Sequence, residues 1–376
     1  MLTELRFKNW RSLRDVTISN LTPITVFIGA NSSGKTNIFD ALHFLRRSVN
    51  VGIDVAVFNW GGMDKIRTLS ASPHDNIELT MTFNWEGSSV SSGMILDADN
   101  TGILYTPKIA EDGVELPLPP LGGSWPGTDG QQKHTRASEI AGFANRYQED
   151  RWQLLREDMA PPISLPSDSD LNDPYIIDPR ARNLPMMLTF MQQQAPEIYS
   201  QLQSDINWLL DHVEKMDMHR DERETRMVIN EKPLNGKEAP TISGGTTRLI
   251  AMLTAYYALD LKSSERFGLQ RASEFPGLVV IEEPDTALNP LLLGNFVDLL
   301  RTYVDRKEPR QFILTTHNPR FLDYFNPEEV RVVERDPDTG ETSVDAISDS
   351  IKDIWLPKHS LGEAWTGRII GGIPTE

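Results

Sequence analysis

Cysteine is absent from all 376 residues. That excludes disulfides, thiolate zinc sites and a cysteine nucleophile, and it fits a reducing compartment such as the cytoplasm. Long apolar runs are also missing. A membrane span needs about 18 consecutive apolar residues, and no such run occurs, so no membrane partner is expected. The first residues, Met1 to Arg6, read as a strand and carry no signal-peptide pattern. Positive charge is in short supply: 37 Lys and Arg stand against 54 Asp and Glu, a formal net charge of −17. Such a chain is a poor general binder of polyanions. Nucleic-acid contact would have to come through a partner or a local basic patch. Arg301, Arg306, Lys307 and Arg310 form one candidate patch, with a solvated helix end as the alternative. Apolar content is ordinary, and the length suits roughly two domains, or one large domain with an insertion.

What is present is a phosphate-binding pattern. Gly29-Ala30-Asn31-Ser32-Ser33-Gly34-Lys35-Thr36 reads G-x-x-x-x-G-K-[ST]. The apolar, β-branched run Ile24–Ile28 precedes it. After it, Ile38, Ala41, Leu42 and Leu45 recur at helical spacing. A strand, this loop and a helix are the context the motif requires. The glycines let consecutive N–H groups face an anion, and the positive end of the following helix adds to the attraction. Lys35 supplies a point charge for the β- and γ-phosphates, and the Thr36 hydroxyl can ligate Mg²⁺. Asn37, directly after the motif, is grouped with the nucleotide-binding residues.

Before the loop, residues 2–10 and Asp15–Ile18 read as neighbouring strands joined by Asn9-Trp10-Arg11-Ser12-Leu13. Arg11 either reaches the nucleotide from that turn or is a surface arginine. Ile77–Phe83 alternates cleanly and predicts a strand with one wet face. Met94–Leu96 and Ile103–Tyr105 flank hairpin chemistry at residues 97–102. A Pro- and Gly-rich connector covers residues 116–131. Residues 137–157 read as helical, with Ile140, Phe143, Tyr147, Trp152 and Leu155 near helical spacing. Asp168, Asp170 and Asp173 fall in a second connector and read as a polar turn rather than a metal site. Residues 184–213 predict helix with a break at Pro196, whose stripe of Ile198, Leu202, Ile206, Leu209 and Leu210 is packing.

A second set of chemistry-bearing residues follows. Ser243-Gly244-Gly245 opens a strong helical run over Leu249–Leu261, a further helix N-terminus suited to an anion. Gly277–Ile281 reads as a fully buried strand, and Glu282 and Glu283 stand at its C-terminal end, where ligands gather in open α/β sheets. The first carboxylate suits Mg²⁺ binding and the second suits polarising a water for attack on the γ-phosphate. Another apolar strand, Gln311–Thr316, ends in His317, a group able to donate to a γ-phosphate.

These blocks in this order resemble the ABC-class ATPases, and within them the RecF/SMC-like and OLD-like branch. The likeness rests on Asn9-Trp10-Arg11, Gly29 to Thr36, Ser243 to Arg248, Glu282 to Pro290 and Thr315 to Pro319. It covers roughly residues 1–85 and 240–345. The resemblance implies an α/β P-loop NTPase head of ABC type: a mixed β-sheet flanked by helices and interrupted by a helical and β insertion. The corresponding segments are residues 1–86 for the N-terminal lobe, 87–240 for the insertion, 241–348 for the C-terminal lobe and 349–376 for a tail that is either a docking segment or a simple tail. By the same resemblance Gly29 to Thr36 is Walker A and Ser243 to Thr247 is the signature loop. Glu282 and Glu283 are the Walker B pair, Asp285 belongs to the D-loop and His317 is the switch histidine. Two departures stand out. Glu282 replaces the usual aspartate, and no glutamine fits the Q-loop; the region of Asn59-Trp60-Gly61-Gly62 is the place to seek a substitute.

The resemblance further implies ATP and Mg²⁺ as cofactors and a head-to-tail homodimer in which each signature loop contacts ATP held by the other copy. OLD-like relatives often carry a Toprim nuclease after the ATPase, and the stretch beyond His317 is too short for one. The expected system is therefore an ATPase that controls a separate effector, a nuclease, in bacterial anti-phage defence or DNA processing, with any DNA contact indirect. Two alternatives stay open on the sequence: a RecF-type DNA-repair ATPase that binds DNA directly, and a nucleotide-gated scaffold with little turnover. A transporter ATPase fits less well, given the missing Q-loop and the long insertion.

Overall fold

The computed structural model describes residues 1–99, 102–116, 151–166, 175–232, 237–238, 242–261, 277–306 and 310–372. The connector from residue 117 onward, the first part of the helix expected over 137–157, and Asp168, Asp170 and Asp173 lie outside them. The chain forms two compact units, Met1–Glu149 with Phe325–Glu376, and Asp150–Tyr324. Among the described residues, no helix is long and apolar enough to cross a membrane.

Among the described residues of the first unit, the early strands are β1 (Leu2–Trp10), β2 (Leu13–Ile18), β3 (Ile24–Ile28), β4 (Ile77–Trp85), β5 (Ser88–Asp99), β6 (Gly102–Glu111) and β7 (Val114–Glu115). All but β3 join an antiparallel sheet in the order β2-β1-β4-β5-β6-β7. Period-two alternation drives it. Ile77, Leu79, Met81 and Phe83 of β4 are buried, and the residues between them stay partly wet. Leu5 pairs with Met81 and Phe7 with Leu79, so both strands bury the same face. Glu86 (φ 51°) and Gly87 (φ 86°) make the two-residue turn from Trp85 to Ser88, the left-handed pair that matches hairpin twist.

β3 lies apart from that sheet. Its five residues are all buried, and it pairs in parallel with β15 (Val330–Arg335), through Val26 with Val330 and Ile28 with Val332. β15 turns back as the expected hairpin into β16 (Thr342–Ala346). The helix Lys35–Val51 leaves β3 through the phosphate loop and buries Ile38, Phe39, Leu42 and Leu45.

In the second unit, β8 (Trp152–Leu155) and β14 (Arg310–Thr316) flank β13 (Gly277–Glu282), and both run parallel to it. Every residue of these three strands is buried. Strands covered on both faces read as unbroken runs, without alternation. β8 corrects the helix expected over 137–157. Its Trp152 and Leu155 fit helical spacing by chance, whereas pairing of Leu278 with Trp152 and Ile281 with Leu155 makes the segment a strand. A second, antiparallel sheet contains β9 (Ser164–Pro166), β10 (Val213–Arg220), β11 (Glu224–Glu231) and β12 (Lys237–Glu238). Helices Leu184–Gln194 and Pro196–Leu209 realise the predicted break at Pro196. The second helix is tied to β10, where Tyr199 Oη donates to Met216 O at 2.9 Å and Met216 N donates to Gln203 Oε1 at 2.7 Å.

Asp205 of that helix anchors a buried aromatic cluster. Tyr257, from the helix Gly244–Ala258, and Tyr303, from the helix Leu293–Val304, each donate a hydroxyl to Asp205 Oδ2 at 2.5 Å. Tyr303 stacks on Tyr256, and the Arg306 guanidinium lies 4.9 Å from the Tyr303 ring centroid. Burial pushes the ionisation of all three tyrosines upward, so they remain protonated, and Tyr257 and Tyr303 remain donors. Tyr257 and Tyr303 are 0 % exposed. Removing their shared acceptor leaves two dry hydroxyls. Asp205→Ala is expected to destabilise this unit by about 2–4 kcal/mol, read as a lower urea midpoint in equilibrium unfolding.

Candidate functional site

The phosphate loop is shaped by its glycines and pinned from behind. A Cβ on Gly29 would stand 2.3 Å from Val333 O and 2.7 Å from Ser33 Oγ, so only glycine fits. Gly34 sits at φ 115°, and a Cβ there would meet Thr342 Oγ1 at 2.2 Å. The same threonine ends a directed relay. Asn37 Nδ2 donates to Ser12 Oγ at 2.6 Å, and Thr342 Oγ1 donates to Ser33 O at 2.8 Å. With its one proton so used, Thr342 Oγ1 accepts from Ser12 Oγ at 2.7 Å. Thr342 N also donates to Ser12 O. Trp10 Nε1 donates to Asn37 O at 3.0 Å. The loop is thereby fastened both to the β1–β2 turn and to the start of β16.

Lys35 is 6 % exposed and folds over the loop, donating from Nζ to Gly29 O at 2.7 Å and Ala30 O at 3.0 Å. It opens its helix together with Thr36, at the end where backbone N–H groups lack acceptors one turn back. Arg11 is at φ 48° and donates to Asp40, one turn into the same helix. Ala30 to Ser33 and Glu334 to Pro337 line a cavity of about 650 Å³. Gly372 closes one side of it: Ala30 N donates to Gly372 O at 2.8 Å, and Gly372 N donates to Glu334 Oε1 at 2.5 Å. The tail is thus docked on the phosphate loop of its own chain.

In the second unit, β13 delivers its carboxylates as the sequence predicts. Glu282 is the last strand residue and is 2 % exposed. Glu283 leaves the strand at φ 47° and starts the 3₁₀ turn Pro284–Ala287. Its N–H is held by Thr315 O and Thr315 Oγ1, both at 3.1 Å. His317, just beyond β14, places Nδ1 2.8 Å from Glu283 Oε1. Asp285 is buried and accepts from Thr316 Oγ1 at 2.9 Å. Ser243 is exposed and caps the helix Gly244–Ala258, accepting from Thr246 N at 3.1 Å. Gly244 and Gly245, next to it, leave the helix start uncovered by side chains.

Glu283, His317 and Asp285 therefore come together, as do Gly29 to Asn37 around one loop. Ser12, Thr342 and Gly372 were not foreseen, because nothing local in the sequence marks them. Asn59-Trp60-Gly61-Gly62, the suggested Q-loop substitute, ends the helix Ile53–Asn59, and Trp60 packs on His43 and Phe44. Arg156, at the end of β8, reaches Glu282, with Nε 3.8 Å from Oε2.

A phosphate loop opening a helix, and a buried strand ending in paired carboxylates beside a histidine, define a P-loop ATPase of ABC type. Residues 24–323 match the family described as "AAA domain, putative AbiEii toxin, Type IV TA system", and the chain belongs to that family. Over 121 residues it is 28 % identical to the DNA replication and repair protein RecF of Lactococcus lactis subsp. cremoris; the match takes in 31 % of this chain and 34 % of RecF. The chain thus spans about a third of the length of that relative. The fold is that of SMC heads. An SMC head bound to the C-winged helix domain of ScpA superposes with a TM-score of 0.60 at 15 % identity, over 94 % of this chain and 99 % of that one. The SMC head from Pyrococcus furiosus, bound to the C-terminal domain of ScpA, gives 0.55 at 13 % identity, over 95 % and 98 %. Family membership carries nucleotide binding with it.

Burial raises the Asp285 carboxyl above the usual range, against hydrogen bonds from Thr316 and Asn318 that lower it. A carboxyl raised in the folded state favours the fold when protonated. The cost is therefore present at neutral pH and fades as pH falls through the raised value. Asn keeps an acceptor for Thr316 without the charge. Asp285→Asn is expected to melt above the parent at pH 7, with the gain shrinking towards zero in acid, as followed by thermal unfolding across pH.

Proposed function

We propose that the protein binds and hydrolyses ATP with Mg²⁺ in the cytoplasm, dimerises head to tail on ATP, and controls a separate effector, a nuclease, in bacterial anti-phage defence or DNA processing. The observation that carries the ATPase function is the Glu283–His317 pair at 2.8 Å on a strained turn out of β13. A carboxylate so oriented can accept a proton from an attacking water, with the imidazole beside it available to the γ-phosphate. Gly29, Ala30, Asn31, Ser32, Ser33, Gly34 and Lys35 cradle the phosphates, with Arg11 and Asn37 at the margin of the same loop. Ser243 and Gly244, exposed at their helix start, and Gly245 beside them serve the nucleotide of a second copy, and Asp285 steadies that interface.

The donor chemistry fits Mg²⁺. Thr36 and Glu282 offer hard oxygens, and no group of three or more His, Cys, Asp or Glu side chains among the described residues forms a dedicated metal cage. Magnesium in such sites takes one or two protein oxygens and completes its shell with phosphates and water. When bound, it would supply charge neutralisation between the phosphates. Glu282 and Thr36 would hold it, while Lys35 would orient the phosphates and Glu283 would hold and polarise the water.

RecF carries DNA replication and repair in its name, which supports a second possibility: direct DNA binding by the lone protein. Salt-dependent, ATP-stimulated DNA binding would favour it. The purified chain is expected to hydrolyse ATP without cutting DNA. Lys35→Ala should abolish nucleotide binding. Glu283→Gln should lower turnover by about a hundredfold or more and accumulate an ATP-bound dimer in sedimentation velocity. Unchanged turnover in Glu283→Gln would leave a nucleotide-gated scaffold instead, and DNA cleavage by the lone protein would remove the separate effector.

A further inference from the structure

Arg156 stands one residue beyond Leu155, the β8 residue paired with Ile281, and so lies at the carboxyl end of β13. Its Nε is 3.8 Å from Glu282 Oε2, with side-chain exposures of 27 % and 2 %. A buried carboxylate is costly without an opposite charge nearby. At that distance the contact is electrostatic and too long for a directional hydrogen bond. The same Nε lies 3.7 Å from Asp158 Oδ1, a half-exposed carboxylate. Arg156 is thus shared between a buried anion and a wet one.

The loop carrying Arg156 is fastened at both ends. Arg156 N donates to Pro179 O at 2.8 Å, and Arg180 Nε meets Asp158 Oδ2 at 2.8 Å. Between these points, Arg248 Nη2 donates to Glu157 O. Arg248 belongs to the helix Gly244–Ala258, one turn from the Ser243 cap. Arg156, the Glu157 carbonyl and Asp158 are consecutive, so the guanidinium between the two carboxylates and the contact to this helix share one short segment.

We propose that Arg156 is an exchangeable counter-charge for Glu282, and that its transfer to Asp158 couples occupancy of the Glu282 carboxylate to the helix capped by Ser243; this rests on the nucleotide function proposed above. Without a metal–nucleotide complex, the guanidinium neutralises Glu282. When such a complex takes over that charge, Arg156 pairs with Asp158 and the Glu157 carbonyl moves with it. Arg156 is in this sense a positioning residue, and its effect is felt at Glu282 and at Ser243.

The test uses the full chain with Mg²⁺ and a non-hydrolysable ATP analogue, read by thermal unfolding and hydrogen–deuterium exchange. Without nucleotide, Arg156→Gln should melt several degrees below the parent, and Arg156→Lys close to it. With Mg²⁺ and the analogue, the gap should close, and the Mg²⁺ concentration giving half of the stabilisation should fall several-fold in Arg156→Gln. Nucleotide-induced protection of residues 243–248 should weaken in the same variant. Asp158→Asn, a change at a half-exposed position, should raise the Mg²⁺ requirement several-fold, which keeps the test alive if Arg156→Gln fails to fold. An undiminished gap, or an unchanged Mg²⁺ requirement in Asp158→Asn, while the parent itself is stabilised by nucleotide, overturns the exchange. A parent that gains no stability from nucleotide overturns the nucleotide function and this proposal together.

Discussion

The turn out of β13 is the constraint that sets the surroundings of the two adjacent carboxylates Glu282 and Glu283. A glutamate at φ 47° is in the left-handed region, which costs a non-glycine residue about 1–2 kcal/mol. The cost is met by two acceptors on Thr315 for the Glu283 N–H and by the fully buried strand pairing of β13 with β14. The strain has a result that an unstrained exit would not give. Glu282 remains in the strand and points into a dry environment, whereas Glu283 is turned towards His317. Adjacent carboxylates thereby acquire different surroundings, one suited to a cation and one to a water molecule. Strain stored at such a turn is held by the rigid sheet around it.

The phosphate loop is held by a different device. Its shape is local, set by glycines at positions where a Cβ would collide, but its position is fixed by the Asn37–Ser12–Thr342–Ser33 relay. Each member has a polar group with a partner at ordinary hydrogen-bond length. A relay linked in this way resists rearrangement, because breaking one link leaves a polar group without its partner. Lys35 lies folded onto loop carbonyls, so its charge is kept close to the place where a phosphate would compete for it. The tail contributes a further tie through Gly372, where positive φ values at Gly371 and Gly372 let the backbone approach Glu334.

Much of the site was legible because its chemistry is contiguous. The phosphate loop, the Ser-Gly-Gly helix start, the paired glutamates and His317 each lie within a few residues of a strand or helix signal. Each signal arises from backbone requirements that a short segment must satisfy by itself. Strand β8 was misread because a strand buried on both faces shows no alternation, and Trp152, Leu154 and Leu155 around a buried Gln153 fit a helix as easily. The place of Arg156 followed from that misreading: inside a helix it has no reason to meet Glu282. The hairpin of β15 and β16 was legible from its turn, whereas the parallel pairing of β15 with β3 was not, since some three hundred residues separate the strands.

The sequence alone determined the ATPase class, the phosphate loop, the order of the motifs and the residues that carry charge at the strand ends. These follow from local periodicity and from the few residue types able to perform each task. Tertiary structure alone decided which distant groups hold them: Thr342 behind Gly34, Gly372 on Ala30, Asp205 between two tyrosines, Arg156 beside Glu282. Hydrogen bonds and ion pairs of this kind are set by distance in space, and a linear chain records no distances beyond its own neighbours.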